Sequence, residues 1–207
     1  MATWMKRTFN AEGVTEYPAG PNLRHLTEKF GGSGAVVLCI DVSGSMAGAE
    51  LREAQKGGQG FISDAGAGGY RVGLVLWDHE VVASVAPTDD LTRVRAELDR
   101  GRAGGGTRLA PALELAQSML LTTDVTDRVC VVFTDGALSD QSEAEGRAAQ
   151  MKSGGIRILT IGLGGAAARG LDAIASGDQP MTTASTADTL ATDMQRIAGG
   201  LSVKRRR

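Results

Sequence analysis

Short apolar runs that alternate with helix-period segments constrain this 207-residue chain more than anything else in it. Ala35–Asp41 (AVVLCID), Tyr70–Trp77 (YRVGLVLW), Arg128–Thr134 (RVCVVFT) and Arg157–Gly162 (RILTIG) are near-continuous and rich in β-branched residues. Runs of that kind are shielded on both faces, as strands are in a parallel sheet covered by helices. In Leu109–Leu121, by contrast, Leu109, Ala112, Leu113, Ala116, Met119 and Leu120 fall on one helical face. Leu190, Met194, Ile197, Ala198 and Leu201 repeat that pattern near the C-terminus, and Glu50–Ala65 and Leu91–Leu98 are further predicted helices. Glu80–Val85 follows Trp77 after only Asp78 and His79, too few residues for a crossover, so this strand is predicted to run antiparallel at an edge. The order β-α-β-β-α-α-β-α-β-α, with room for one more β-α, predicts a doubly wound α/β domain.

That domain absorbs residues 31–202. Residues 1–30, with Trp4, Phe9, Tyr17, Pro18 and Pro21 but no strong period, read as an N-terminal arm, and 203–207, containing Lys204–Arg207 (KRRR), as a basic tail. The 29 glycines cluster between the periodic segments and serve as punctuation. Gly57, Gly58 and Gly60 fall inside a predicted helix, which suggests close packing of that helix on the sheet, with a shifting helix as the alternative. A hydrophobic share of 42% with 22% charged residues suits a packed core and excludes a disordered chain. Twenty-two Lys+Arg against 24 Asp+Glu argue against a dedicated nucleic-acid binder. The KRRR tail reads as a solvated end, with an anionic contact as the alternative. The longest uninterrupted apolar run, Ala35–Ile40, is six residues, far below a membrane span, and the N-terminal residues lack the apolar stretch of a signal peptide. The expectation is a soluble, cytoplasmic chain without membrane contact. Cys39 and Cys130, each inside an apolar run on strands expected to be adjacent, read as buried apolar side chains rather than a disulfide or a zinc site.

One constellation carries chemistry. The first strand ends in Cys39-Ile40-Asp41-Val42-Ser43-Gly44-Ser45-Met46, a carboxylate followed by two hydroxyls at alternate positions. Gly104-Gly105-Gly106-Thr107 delivers another hydroxyl just before the cleanest helix, and a further strand ends in Phe133-Thr134-Asp135-Gly136. Ligands of open α/β sheets bind at the carboxyl ends of strands, where the strand order reverses. If the strands beginning at Ala35 and Arg128 are neighbours there, Asp41, Ser43, Ser45, Thr107 and Asp135 converge. Two carboxylates and three hydroxyls, with no imidazole or thiolate, suit a hard cation such as Mg²⁺, with Mn²⁺ or Ca²⁺ as alternatives. Asp78 and Asp140 are candidates for the rim of this site. Both have plainer readings, a turn pair for Asp78 with His79 and a helix cap for Asp140. His25 has no companion ligand and reads as structural or exposed.

The D-V-S-G-S run, Thr107 after its glycine triplet and T-D-G at 134–136 resemble the metal-ion-dependent adhesion site (MIDAS) of von Willebrand factor type A (VWA) domains. The resemblance covers about residues 35–202 with all five motif positions filled. It implies a Rossmann-like fold with a mostly parallel central sheet, one antiparallel edge strand and helices on both faces. It also implies Ser43, Ser45 and usually Thr107 as direct metal ligands, with Asp41 and Asp135 often acting through water. Within the family the chain looks most like the stand-alone bacterial cytoplasmic type, including proteins linked to tellurium resistance and other stress or conflict systems, although its leader departs from that type.

The function expected is non-enzymatic: an adaptor module whose bound Mg²⁺ captures an Asp or Glu carboxylate of a protein partner. Three rival readings lack what their chemistry would want or rest on the tail alone. A phosphohydrolase of the haloacid-dehalogenase kind would want a second aspartate where Ser43 stands. A nucleotide-binding domain would want G-x-G-x-x-G in place of D-V-S-G-S. A nucleic-acid-associated adaptor would rely on the KRRR tail and show salt-dependent binding.

Overall fold

The computed structural model describes residues 34–163, 167, 170–177, 183–185, 192–194, 196–198 and 201. The expectations for the arm at 1–30, for the tail at 203–207, for His25 and for Leu190 lie outside the described residues. The strands are β1 (Gly34–Asp41), β2 (Tyr70–Trp77), β3 (Val81–Thr88), β4 (Asp127–Thr134), β5 (Ile156–Leu163) and β6 (Thr183–Ser185). The longer helices are α1 (Ala49–Ala67), α2 (Leu91–Arg100), α3 (Ala110–Thr122) and α4 (Gln141–Ser153). The sheet order is β3-β2-β1-β4-β5-β6. β1 pairs in parallel with both β2 and β4, β4 with β5, and β5 with β6, while β3 runs antiparallel to β2 at the edge. This is the doubly wound, mostly parallel sheet with one antiparallel edge strand expected from the sequence.

Period-two alternation within each strand explains why helices cover both faces. Val36, Leu38 and Ile40 of β1 join Val72, Leu74 and Leu76 of β2 and Val129, Val131 and Phe133 of β4 in one apolar layer. Phe61 and Ile62 of α1, Val94 and Leu98 of α2, and Met194, Ile197, Ala198 and Leu201 close that layer. The intervening residues Ala35, Val37, Cys39, Val75, Trp77, Cys130 and Val132 form the second, closed by Ala112, Leu113, Ala116 and Leu120 of α3 and Ala144, Ala148 and Met151 of α4. Each large side chain fully buried in this way contributes about 1.5–3 kcal/mol.

Local chemistry sets the ends of these elements. The Asp90 side chain accepts from Arg93 N (3.3 Å) and caps α2. Pro111 occupies the first turn of α3, where no amide partner is needed. At the other end of α3, Arg128 donates to the carbonyls of Leu120 (2.9 Å) and Thr123 (3.3 Å). Gly58 has no room for a side chain: a Cβ there would stand 2.7 Å from Leu98 Cδ2 and 3.2 Å from Ile40 Cδ1. Close packing of α1 on the sheet and α2 thus accounts for this interior glycine. β3 extends to Thr88, beyond the predicted Val85, despite Pro87. An edge strand tolerates proline, and the register shifts opposite Gly73, whose missing Cβ would lie 3.1 Å from the proline ring.

Candidate functional site

β1 lies between β2 and β4, so the chain leaves β1 toward one half of the sheet and β4 toward the other. At this switch point Asp41 stands at the carboxyl end of β1, Thr134 at the carboxyl end of β4, and Asp135 directly after it. Asp41 is wholly buried. Its Oδ1 accepts from the Ser43 backbone N–H (2.7 Å) and its Oδ2 from the Thr134 hydroxyl (2.5 Å). Ser43, also buried, has its hydroxyl 3.1 Å from that of Ser45, and Ser45 Oγ donates to Asp135 Oδ1 (2.7 Å). Asp41, Ser43, Ser45 and Asp135 therefore form one hydrogen-bonded arc of oxygens.

Thr107 closes on this arc from a separate loop. A Cβ placed on Gly136 would lie 3.7 Å from Ser45 Oγ and 3.9 Å from the Thr107 hydroxyl, so both converge on the T-D-G turn. The Thr107 loop is held from three sides. Gly104 N donates to Val42 O (2.8 Å) and Gly44 N to Gly105 O (3.2 Å), joining it to the loop after β1. Ser139 donates to the Thr107 carbonyl through both its backbone N–H and its hydroxyl, each at 2.9 Å. Arg108 N donates to Asp78 O (2.8 Å) in the β2–β3 hairpin. Gly105 adopts φ +69°, and a side chain there would collide with the Asp78 carboxylate and His79, which explains a glycine at this point of the triplet.

The two rim candidates have their carboxylates engaged elsewhere. Asp78 Oδ1 accepts from Glu80 N (2.9 Å) and lies 2.9 Å from His79 Nδ1, which makes it the organiser of its own turn. Asp140 accepts from Leu109 N (3.0 Å) and Ala110 N (2.8 Å), capping the start of α3 rather than α4, the helix it precedes. It thereby fixes the segment just after Thr107. Neither this cross-element cap nor the Thr134 contact with Asp41 was anticipated from the sequence. A signal for the second existed: counting by two puts Thr134 on the face of Val132, as it puts Asp41 on the face of Cys39.

Electrostatics favour a cation here. Burial pushes the Asp41 carboxyl above its ordinary range; hydrogen bonds from Thr134 and Ser43 oppose the shift, and the negative charge of Asp135 adds to it. Among the described residues, no Lys, Arg or His forms an ion pair with Asp41 or Asp135. A buried carboxylate beside a second one, ringed by neutral hydroxyls, fits a hard divalent ion that takes oxygen ligands.

Fold and site together define an open α/β domain with an oxygen-only donor cluster at its topological switch point. The von Willebrand factor type A domain profile matches residues 35–197, and the chain belongs to that family. The vWF domain of the type V pili tip protein Mfa5 from Porphyromonas gingivalis superposes with a TM-score of 0.78 at 17% identity, over 85% of this chain and 97% of that one. A von Willebrand factor type A structure from Catenulispora acidiphila gives 0.71 at 20% identity, over 83% of this chain and 43% of that one. Proximal thread matrix protein 1 from the mussel byssus, solved with zinc in its MIDAS motif, gives 0.70 at 17% identity, over 89% of this chain and 52% of that one. The chain thus spans about half the length of these last two. No curated protein matches the sequence significantly. Among the described residues, no helix is long and apolar enough to cross a membrane.

Proposed function

We propose that this chain is a metal-dependent protein-interaction module in which Asp41, Ser43, Ser45, Thr107 and Asp135 hold a divalent cation, Mg²⁺ in the first place. The observation that carries the reading is the buried Asp41 carboxylate, with Asp135 beside it and no cationic side chain paired to either among the described residues. When bound, the cation supplies an electrophilic position able to accept a carboxylate oxygen from an Asp or Glu of a protein partner. Asp41 and Asp135 at most neutralise a divalent charge, and the hydroxyls of Ser43, Ser45 and Thr107 add ligand oxygens without adding charge. A partly desolvated crevice screens that attraction less than bulk water does.

That chemistry suits binding rather than catalysis, and the role proposed is that of a bacterial cytoplasmic adaptor of the stress-associated kind. Its support is the motif resemblance. Capture of partners from native extract on the immobilised chain tests it. Binding in Mg²⁺ should be lost in chelator, regained with Mg²⁺ or Mn²⁺, and lost again in Thr107→Ala. A complex that survives chelator at full strength would assign the interaction to another face.

A further inference from the structure

Thr134 is not among the candidate ligands, yet its hydroxyl touches the most deeply buried of them. It is the last residue of β4 and fully buried. Its Oγ1 lies 2.5 Å from Asp41 Oδ2 and also accepts from the Gly136 backbone N–H at 3.2 Å. The direction of both bonds is fixed by valence. An amide N–H can only donate and an ionised carboxylate can only accept, so the single hydroxyl hydrogen of Thr134 goes to Asp41. With Ser43 N on Oδ1 at 2.7 Å, both oxygens of Asp41 are then held by neutral donors. The same hydroxyl, through Gly136 N, ties Asp41 to the turn that carries Asp135.

From this geometry, and resting on the metal-site reading above, we infer that Thr134 is a positioning residue for the metal centre. Its hydroxyl fixes the rotation of the Asp41 carboxylate and sets that carboxylate against Asp135 across the gap between β1 and β4. A carboxylate held in place offers its remaining lone pairs to an ion without first having to be ordered. Outer partners of this kind are commonly worth roughly 10–100-fold in metal affinity. The β-branched side chain adds a stiff χ1, which keeps the hydroxyl aimed at Asp41 when no ion is bound.

The test separates the hydroxyl from the volume of the side chain. Thr134→Val keeps the shape and removes the hydroxyl; Thr134→Ser keeps the hydroxyl and removes the methyl. Calorimetric titration of the full chain with Mg²⁺ reads affinity, and circular dichroism with thermal unfolding in chelator reads the fold. Thr134→Val should bind Mg²⁺ roughly 10–100-fold more weakly than wild type, and Thr134→Ser should recover most of that loss. If the valine chain does not fold, Thr134→Ala takes its place against serine with the same expectation. Wild-type affinity in the hydroxyl-free variant, or a serine variant as weak as it, would overturn the inference. A wild-type chain that takes up no Mg²⁺, Mn²⁺ or Ca²⁺ would instead remove the metal-site reading, and the inference with it.

Discussion

At the scale of the residue, Asp41 sets the terms. Burial holds its folded-state pKa above the ordinary carboxylate value, so in chelator the folded chain binds a proton more readily than the unfolded chain. The sign follows: the ionised carboxylate costs the metal-free protein stability at neutral pH, and that cost fades as the pH falls through the raised pKa toward the unfolded value. Asp41→Asn, compared with wild type by thermal unfolding in chelator, should therefore be the more stable chain at pH 7. The difference should shrink on acidification, and a difference that does not change with pH would contradict the assignment. Asp140 acts differently, because its carboxylate closes two amides at the start of α3. Asp140→Ala should lower stability by about 1–2 kcal/mol, read by denaturant unfolding.

Among the elements, what the sequence made legible was what period alone decides. The parallel strands read plainly, because runs such as AVVLCI and VCVVF cannot present a polar face. β6 was only left room for, since Thr183–Ser185 is three residues without an apolar run. The glycines of α1 could be read as packing or as looseness until neighbours were known, and Gly58 is closed in by Leu98 and Ile40. This yields a paired prediction on two interior helical glycines. Gly58→Val should destabilise by about 1–3 kcal/mol through overpacking. Gly146→Ala, in α4 with nothing within 4 Å of its added Cβ, should stabilise by about 0.5–1 kcal/mol. Denaturant midpoints at constant slope check both. The five candidate site residues stood out in the sequence for another reason, since each lies at or just past the end of a strand or just before a helix. Thr134 and Asp140 escaped because their partners, Asp41 and the amides of α3, are distant in sequence.

At the scale of the whole molecule, two apolar layers enclose one sheet, and the candidate site lies in the loops at its carboxyl edge. Those loops are stitched to one another by Gly44, Gly104 and Ser139, so an ion gripping Asp41, Thr107 and Asp135 would brace segments from both halves of the sheet. Ligand binding to the folded state alone raises stability by about 2.7 kcal/mol at a hundredfold excess over Kd. The thermal midpoint should accordingly rise with Mg²⁺ in wild type and stay level in Thr107→Ala. Calorimetric titration of Mg²⁺ into wild type and Asp41→Ala tests most directly whether these oxygens hold a divalent ion. One saturable site is expected in the wild type, and none at the same concentrations in a folded Asp41→Ala chain. No binding to the wild type, or equal binding to both, would contradict it.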